Sequence, residues 1–138
     1  MAFQISQTFL NLPVKDLKRS ISFFEALGFA FNPQFTDENA ACLILSDTAY
    51  AMLLTEPYFK TFIKKDISDA TKTTEFIMAV SVSSKEEVQD LVRKALASGG
   101  SVSNDPQDHG FMYTESFQDP DGHLWEVFHM DPTYVHEA

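Results

Sequence analysis

The carboxyl-terminal part of the chain concentrates side chains that can bind a metal or move a proton. All four histidines lie there, namely His109, His123, His129 and His136. His123, Glu126 and His129 recur at a spacing of three, which on a helix would place them on one face. The composition Trp-Glu-Val-Phe, between Gly122 and Pro132, favours a strand instead. In a strand, Glu126 points away from both histidines, so we expect no metal site from this set.

Glu126 is the leading candidate for a functional acid. Its neighbours Trp125 and Val127 should pack on a helix, which turns Glu126 toward the opposite face of its sheet. A carboxylate on a partly covered face must be paired, hydrogen-bonded or raised in pKa. Two interpretations remain open. Glu126 is a ligand anchor or proton-transfer group, or it is a structural acid bonded to Asn11, Thr55 or Ser81.

Two other residues rank below Glu126. Glu115 lies within a predicted strand on the same side as Tyr113, and this side can face either a pocket or solvent. His109 precedes that strand, where it can reach over a pocket mouth or remain an ordinary turn residue.

The elements that must position these residues begin with a strand, Thr8–Val14. Asp16 then caps a helix, and Gly28 ends it because glycine tolerates the left-handed backbone found after helices. Three strand candidates follow, at residues 29–35, 41–45 and 50–55. Short polar turns separate them, which favours hairpins.

The same order returns in the second half of the chain. Residues 76–82 form a predicted strand, and Ser84 caps a helix with Glu87 three residues later. Three more strands are predicted, around residues 101–104, 111–117 and 124–129. Asp119-Pro120-Asp121-Gly122 is the strongest turn signal of the chain and separates the last two.

This repeat predicts an α+β fold within a single domain, residues 1–138. Two βαβββ modules, residues 5–55 and 75–130, are joined by a connector or flap at 56–74. Each module should form a four-stranded antiparallel sheet with its helix on the outside. Pairing the two sheets would enclose a cavity of the kind that binds small molecules.

Composition narrows the classes of function. The net charge of −10 argues against nucleic acid, since neutralising phosphates requires clustered Lys and Arg. All ten basic residues lie at or before Lys94, so the remaining tail is acidic, which either attracts a cationic ligand or simply maintains solubility. Cys42 is the only cysteine, and no run approaches the roughly 20 apolar residues of a membrane span. We expect a cytoplasmic protein without a membrane partner.

Two motifs at opposite ends of the chain carry a family resemblance. Residues 11–17, Asn-Leu-Pro-Val-Lys-Asp-Leu, and 23–29, Phe-Phe-Glu-Ala-Leu-Gly-Phe, resemble the opening strand and helix of glyoxalase and bleomycin-resistance proteins. Residues 119–127, Asp-Pro-Asp-Gly-His-Leu-Trp-Glu-Val, resemble their closing turn and strand. The chain is most similar to the predicted lactoylglutathione lyase-related subgroup of this vicinal oxygen chelate superfamily. The resemblance implies the paired-module fold and a homodimer.

The resemblance also locates the positions where metal-dependent relatives hold a divalent ion. Carried over, these positions fall on Phe9, Leu53, Ile77 and Glu126. Only Glu126 can bind a metal, although a slip of register would bring Gln7 or Asn11 into the place of Phe9. One carboxylate with one amide oxygen is a poor site for zinc, nickel or iron. The residues at these positions therefore lead us to expect no metal and no cofactor.

The remaining positions predict the character of the cavity wall. Phe9, Leu53, Ile77 and Tyr113 would make it mainly apolar, which suits a hydrophobic or aromatic ligand, with Asn11 and His109 as polar contacts. We predict a metal-free small-molecule-binding protein. The first alternative is an enzyme that uses Glu126 and Glu115 as its acids, either a lactoylglutathione lyase-like lyase or isomerase or a dioxygenase-related enzyme. The second alternative is a scaffold without a ligand.

Overall fold

The computed structural model describes residues 1–133 and divides the chain into two compact units. The first unit spans Met1–Ser68 and the second begins at Asp69. Each unit contains one sheet and one helix of at least ten residues. The boundary between them lies inside the segment 56–74 that the sequence marks as a connector.

The first unit contains four strands in the sheet order β1-β4-β3-β2. Its elements are β1 (Thr8–Val14), α1 (Leu17–Ala26), β2 (Ala30–Asn32), a 3₁₀ helix (Pro33–Phe35), β3 (Ala40–Ile44), β4 (Ala49–Thr55) and α2 (Glu56–Lys60). The five-residue helix α2 opens the connector.

The second unit contains five strands. Its elements are β5 (Ile77–Ser81), α3 (Lys85–Ala97), β6 (Ser101–Val102), β7 (Gln107–Asp108), β8 (Met112–Gln118) and β9 (Leu124–Met130). The sheet order is β5-β9-β8-β6, and β7 pairs separately with β8. The α+β class is thus confirmed, and the second unit repeats the βαβββ order with one further short strand, β7.

The predicted sheets were wrong in two respects. Both sheets are mixed rather than antiparallel, because β1 runs parallel to β4 and β5 runs parallel to β9. The helix and two hairpin strands after each first strand return the chain in the same direction, as a crossover connection does. The second sheet also has the short strand β7, which the polar sequence Gln107-Asp108 did not reveal.

The third element also differs from its prediction. The strand expected at 29–35 ends at Asn32, since Pro33 starts a 3₁₀ helix and lacks the N–H that a strand ladder needs. The Asn32 side chain accepts a hydrogen bond from the Gln34 N–H, 3.0 Å, and caps this turn.

Both long helices begin at the predicted residues. Asp16 accepts a hydrogen bond from the Arg19 N–H at 3.1 Å, and Ser84 accepts one from the Glu87 N–H at 3.1 Å. The Glu87 carboxylate reaches back to the N–H of Ser83, 2.9 Å, one residue before the capping serine. The start of each helix is therefore encoded locally. Among the described residues, no helix is long and apolar enough to span a membrane.

Each helix covers one face of its own sheet. In the second unit α3 contacts β8 and β9, and the buried side chains of the sheet are Phe117, Trp125 and Val127. In the first unit α1 contacts β3 and β4, and Leu12, Leu43 and Leu53 are buried. Side chains alternate between the two faces of a strand, so the other face of each sheet receives the intervening residues.

The turn before β9 requires glycine at position 122. Gly122 has a φ of +89°, and a Cβ atom there would lie 2.8 Å from the carbonyl oxygen of Ala70. Gly99 has a similar φ of +110°, but no atom lies within 4 Å of its Cβ position. Both glycines therefore have a left-handed backbone, but only at Gly122 would a side chain also clash with neighbouring atoms.

We predict that Gly122→Ala destabilises the protein more than Gly99→Ala does. The free energy of unfolding of the Gly99 variant should fall only by the conformational cost of a left-handed alanine, about 1–2 kcal/mol. The Gly122 variant adds an overpacking cost of about 1–3 kcal/mol, because the clash is with backbone rather than with a flexible side chain. Denaturant unfolding of both variants measures this difference, and equal losses would contradict the close contact.

Candidate functional site

The structure of the site begins with a buried carboxylate in the turn that precedes β9. Asp119 is 5% exposed, and its Oδ1 accepts hydrogen bonds from the N–H groups of Asp121 and His123, both at 3.0 Å. Its Oδ2 accepts a hydrogen bond from the Trp125 indole Nε1, also at 3.0 Å. Three donors from three residues thus converge on one side chain and hold the turn closed.

Burial raises the pKa of the Asp119 carboxyl group above its usual range, while the charge of His123 and the three N–H donors act in the opposite direction. The His123 ring is also buried and stacks on Phe76, with 6.3 Å between ring centroids. Asp119 and His123 therefore belong to the structural support of the site. The sequence predicts a turn at this stretch, but it carries no signal for the role of the Asp119 side chain.

The hydrogen bond that the Trp125 indole donates to Asp119, together with the burial of Trp125, fixes the side to which alternate β9 side chains point. Trp125 and Val127 point to the α3 side and are buried, at 1% and 0% exposure. Glu126 lies between them and therefore points to the opposite side. We call that side the open face of the second sheet, since no element of the second unit other than the sheet strands and their connections contributes to it.

The strand register gives the members of the open face. Glu126 lies beside Ala79 of β5 and beside Ser116 of β8. Around them the register places Ile77, Ser81, Met112, Thr114, Gln118, Leu124, Phe128 and Met130. Ile77 and Met130 are 49% and 46% exposed, so this face presents apolar surface. Glu126 is its single ionisable residue.

The Glu126 carboxylate has no structural bond of the kind the sequence left open. None of the hydrogen bonds or ion pairs of residues 1–133 involves it. The neighbouring Ser116 hydroxyl accepts a hydrogen bond from the Asn104 N–H at 3.0 Å. The Glu126 carboxylate therefore makes none of the hydrogen bonds or ion pairs that hold the described residues together.

Glu115 and Tyr113 lie on the other side of this sheet. Glu115 pairs with Val127 in the register, and so it faces α3. The Tyr113 hydroxyl donates a hydrogen bond to the Glu115 carboxylate, which raises the pKa of Tyr113. The Lys85 ammonium of α3 lies 4.7 Å from the Tyr113 ring centroid. The two glutamates thus face opposite sides of the sheet, and Glu115 and Tyr113 help to seat α3.

The structure does not bring the histidines together around Glu126. His129 shares the α3 side with Trp125, and its Nδ1 lies 3.1 Å from the Val82 carbonyl oxygen. His109 lies in the β7–β8 turn, beyond the Met112 end of β8, whereas Glu126 pairs with Ser116. That separation is about 13 Å along the strand at 3.3 Å per residue. His136 lies outside the described residues.

No group of three or more His, Cys, Asp or Glu residues within positions 1–133 is arranged to hold a metal ion. On the open face the donor set is one carboxylate with neutral hydroxyl and amide groups. Zinc, nickel and iron require about three or four strong donors, so this donor set does not fit such an ion.

The first sheet also has a face that α1 does not fill. Phe9 of β1 lies beside Tyr50 of β4, and their rings stack at 5.0 Å between centroids with 15° between planes. Asn11 follows on the same side, beside Met52. Phe9 is 47% exposed, so its ring offers a flat apolar surface.

Leu53 does not share this side with Phe9. It pairs with Leu12, on the alternate side of the sheet, and is completely buried. The β4 residue next to Asn11 is Met52, one position earlier. Side chains alternate between the two faces of a strand, so a shift of one residue moves a side chain to the other face. The metal position that the resemblance places at Leu53 is therefore one residue away from the side that carries Phe9 and Asn11.

Cys42 is buried in β3, among apolar residues. Burial raises the pKa of its thiol, which disfavours the reactive thiolate.

These units define a protein of two βαβββ modules with one acid on the open face of the second sheet. Residues 5–127 match the family model of the Glyoxalase/Bleomycin resistance protein/Dioxygenase superfamily. The chain belongs to this superfamily. No curated protein matches it significantly.

Several solved structures share the fold. The hypothetical protein SA1046 from S. aureus is 29% identical, with 91% of this chain and 95% of that chain covered and a TM-score of 0.76. The bleomycin resistance determinant encoded on transposon Tn5 is 19% identical, with coverage of 92% and 99% and a TM-score of 0.62. The fosfomycin resistance protein FosX from Mesorhizobium loti is 13% identical, with coverage of 96% and 97% and a TM-score of 0.66.

We predict that Asp119→Ala destabilises the second unit and alters the environment of Trp125. The change leaves three buried N–H donors without their acceptor, at about 1–3 kcal/mol each. Trp125 is the only tryptophan, so its fluorescence reports the loss directly. Equilibrium unfolding followed by tryptophan emission should show a loss of at least about 3 kcal/mol together with a red shift.

Asp131→Ala is the matched control. Asp131 also accepts a hydrogen bond from a backbone N–H, that of Thr133 at 2.8 Å, but in an exposed turn. Its loss should change stability by no more than about 0.5 kcal/mol. Equal effects of the two substitutions would show that the Asp119 bonds do not support the site.

Proposed function

We propose that this protein binds a small organic molecule without a metal ion and without transforming it. The observation that carries the proposal is the open face of the second sheet, where Glu126 is the single ionisable residue on an otherwise neutral and largely apolar surface. Small-molecule sites combine an apolar lining with a few polar groups that orient the ligand. Glu126 supplies such a group.

The identity of the neighbouring side chains favours binding over catalysis. A glyoxalase-type base that deprotonates carbon beside a carbonyl needs an electrophile to hold the enolate charge. The register places Ala79 and Ser116 beside Glu126, and neither is cationic. A lyase or isomerase that uses Glu126 as its base is therefore the second candidate, supported by the accessibility of that carboxylate and by the glyoxalase members of the superfamily.

The first sheet contributes separately to the proposal. The exposed Phe9 ring, stacked on Tyr50, offers a platform for a planar or apolar part of a ligand, and Asn11 adds an amide on the same side. Two structurally similar proteins are named for resistance to bleomycin and to fosfomycin. These names support a small molecule as the ligand class.

A homodimer and a cytoplasmic location complete the proposal. Multi-angle light scattering on the purified full chain gives the mass in solution. A value of twice 15.6 kDa supports the dimer, and a value of 15.6 kDa refutes it.

We predict that a thermal-shift screen of metabolites and drugs, run with a chelator present, finds a ligand whose effect depends on Glu126. A ligand at one hundred times its dissociation constant adds about 2.7 kcal/mol of stability. Glu126→Gln should reduce the shift because it removes the charge and preserves the shape. Glu115→Gln, on the α3 side of the same sheet, should leave it unchanged. A shift that requires added metal would contradict the proposal, and the absence of any shift would favour a scaffold.

We also predict that the purified protein holds no stoichiometric divalent transition metal. The reason is the donor set around Glu126, which falls short of what such ions require. Elemental analysis of the native protein and of Glu126→Ala measures this. One equivalent of nickel, zinc or iron that disappears in the variant would favour the metal-dependent lyase instead.

A further inference from the structure

We infer that the molecule bound at the open face is an organic monocation, a protonated amine or a quaternary ammonium, attached to an apolar body. The inference rests on the proposed function and specifies the chemical class of its ligand. Three features of the second unit support it, namely the charge on the open face, the placement of its basic residues, and the side chains around Glu126.

The first feature is an uncompensated negative charge. Glu126 is the single ionisable residue that the register places on the open face, and it takes part in no ion pair within residues 1–133. A carboxylate beside apolar side chains is stabilised by a cation and destabilised by an anion, and the interaction strengthens where a ligand excludes water. The face therefore discriminates between ligands by charge.

The second feature is the position of the basic residues. Three of the four in the second unit, Lys85, Arg93 and Lys94, lie on α3, which covers the opposite side of the sheet. Each is already paired. Lys85 lies 3.4 Å from Asp108, Lys94 lies 3.0 Å from Asp90, and Arg93 contacts Asp90. The helix thus removes these cations from competition for Glu126, which leaves that carboxylate to a ligand.

The third feature is the apolar surface around the carboxylate. Leu124 and Phe128 flank Glu126 along β9 on the same face, and Ile77 lies beside Leu124. Residues two apart in a strand are about 6.6 Å apart, so an ammonium group at Glu126 lies within reach of the Phe128 ring. A cation over an aromatic ring gains further stabilisation. The hydrocarbon part of the ligand can then cover Leu124 and Ile77.

An organic cation fits this set of side chains better than a metal ion does. An ammonium group needs one carboxylate and an apolar or aromatic surround, whereas a divalent transition metal needs several strong donors. The residues nearest Glu126 in the register are Ala79 and Ser116. They supply room and a hydroxyl group but no second charge.

The test compares three probes of nearly the same shape. These are 4-phenylbutylamine, which is cationic at neutral pH, 4-phenylbutan-1-ol, which is neutral, and 4-phenylbutyrate, which is anionic. Each is titrated into the ¹⁵N-labelled full chain at constant ionic strength, and amide shifts locate the binding. We expect the cation to bind about five- to tenfold more tightly than the alcohol, and the anion more weakly still.

Two variants separate the local carboxylate from the charge of the whole protein. Glu126→Gln should bring the amine and the alcohol to similar affinities. Glu115→Gln removes the same charge from the other side of the sheet, and it should keep the preference for the amine. Circular dichroism and the amide spectra show that both variants are folded.

Each outcome supports or overturns a distinct claim. A preference for the amine that Glu126→Gln abolishes supports the inference. Equal binding of all three probes at Ala79, Ser116 and Glu126 overturns the cation class and leaves the proposed function standing. A preference that survives in Glu126→Gln also overturns the inference, because the net charge then produces it. No shift at the open face with any probe overturns the proposed function itself.

Discussion

The hydrogen bond from the Trp125 indole to the buried Asp119 carboxylate, together with the burial of Trp125, fixes the direction in which the β9 side chains point. It joins a turn to the second residue of the strand that follows, and it is reinforced by two backbone donors from the same turn. Once Trp125 is held against α3, the alternation of the strand places every other residue of β9. The direction of Glu126 is therefore a consequence of a bond that Glu126 does not make.

This alternation separates side chains that lie close together in the sequence. Glu115 and Glu126 both belong to the central strands of one sheet, yet they face opposite sides. His129 faces the helix with Trp125, while His123 is buried in the turn. A stretch rich in acids and histidines thus presents one carboxylate to the open face. The open face therefore carries fewer ionisable side chains than the sequence of this stretch suggests.

The two sides of the second sheet differ in polarity and charge. The helix side carries most of the polar interactions, including the Tyr113–Glu115 bond and the ion pair of Lys85 with Asp108. Such contacts satisfy the charges of α3 and leave the other side neutral apart from Glu126. The ligand site that we propose uses this contrast, because it combines an apolar surface with one charged group. On the first sheet, the side opposite the buried leucines carries the stacked Phe9 and Tyr50 rings instead of an acid.

The sequence alone was sufficient for features that depend on neighbours in the chain. Asp16 and Ser84 start their helices, and Thr8–Val14 is a strand with the predicted limits. Pairing was harder. The parallel partners of β1 and β5, and the strand β7, depend on contacts across the fold. The face of Leu53 and that of Glu115 depended on register, where a one-residue shift reverses direction. Local propensity determines which elements form, whereas only tertiary pairing decides which side chains they present together.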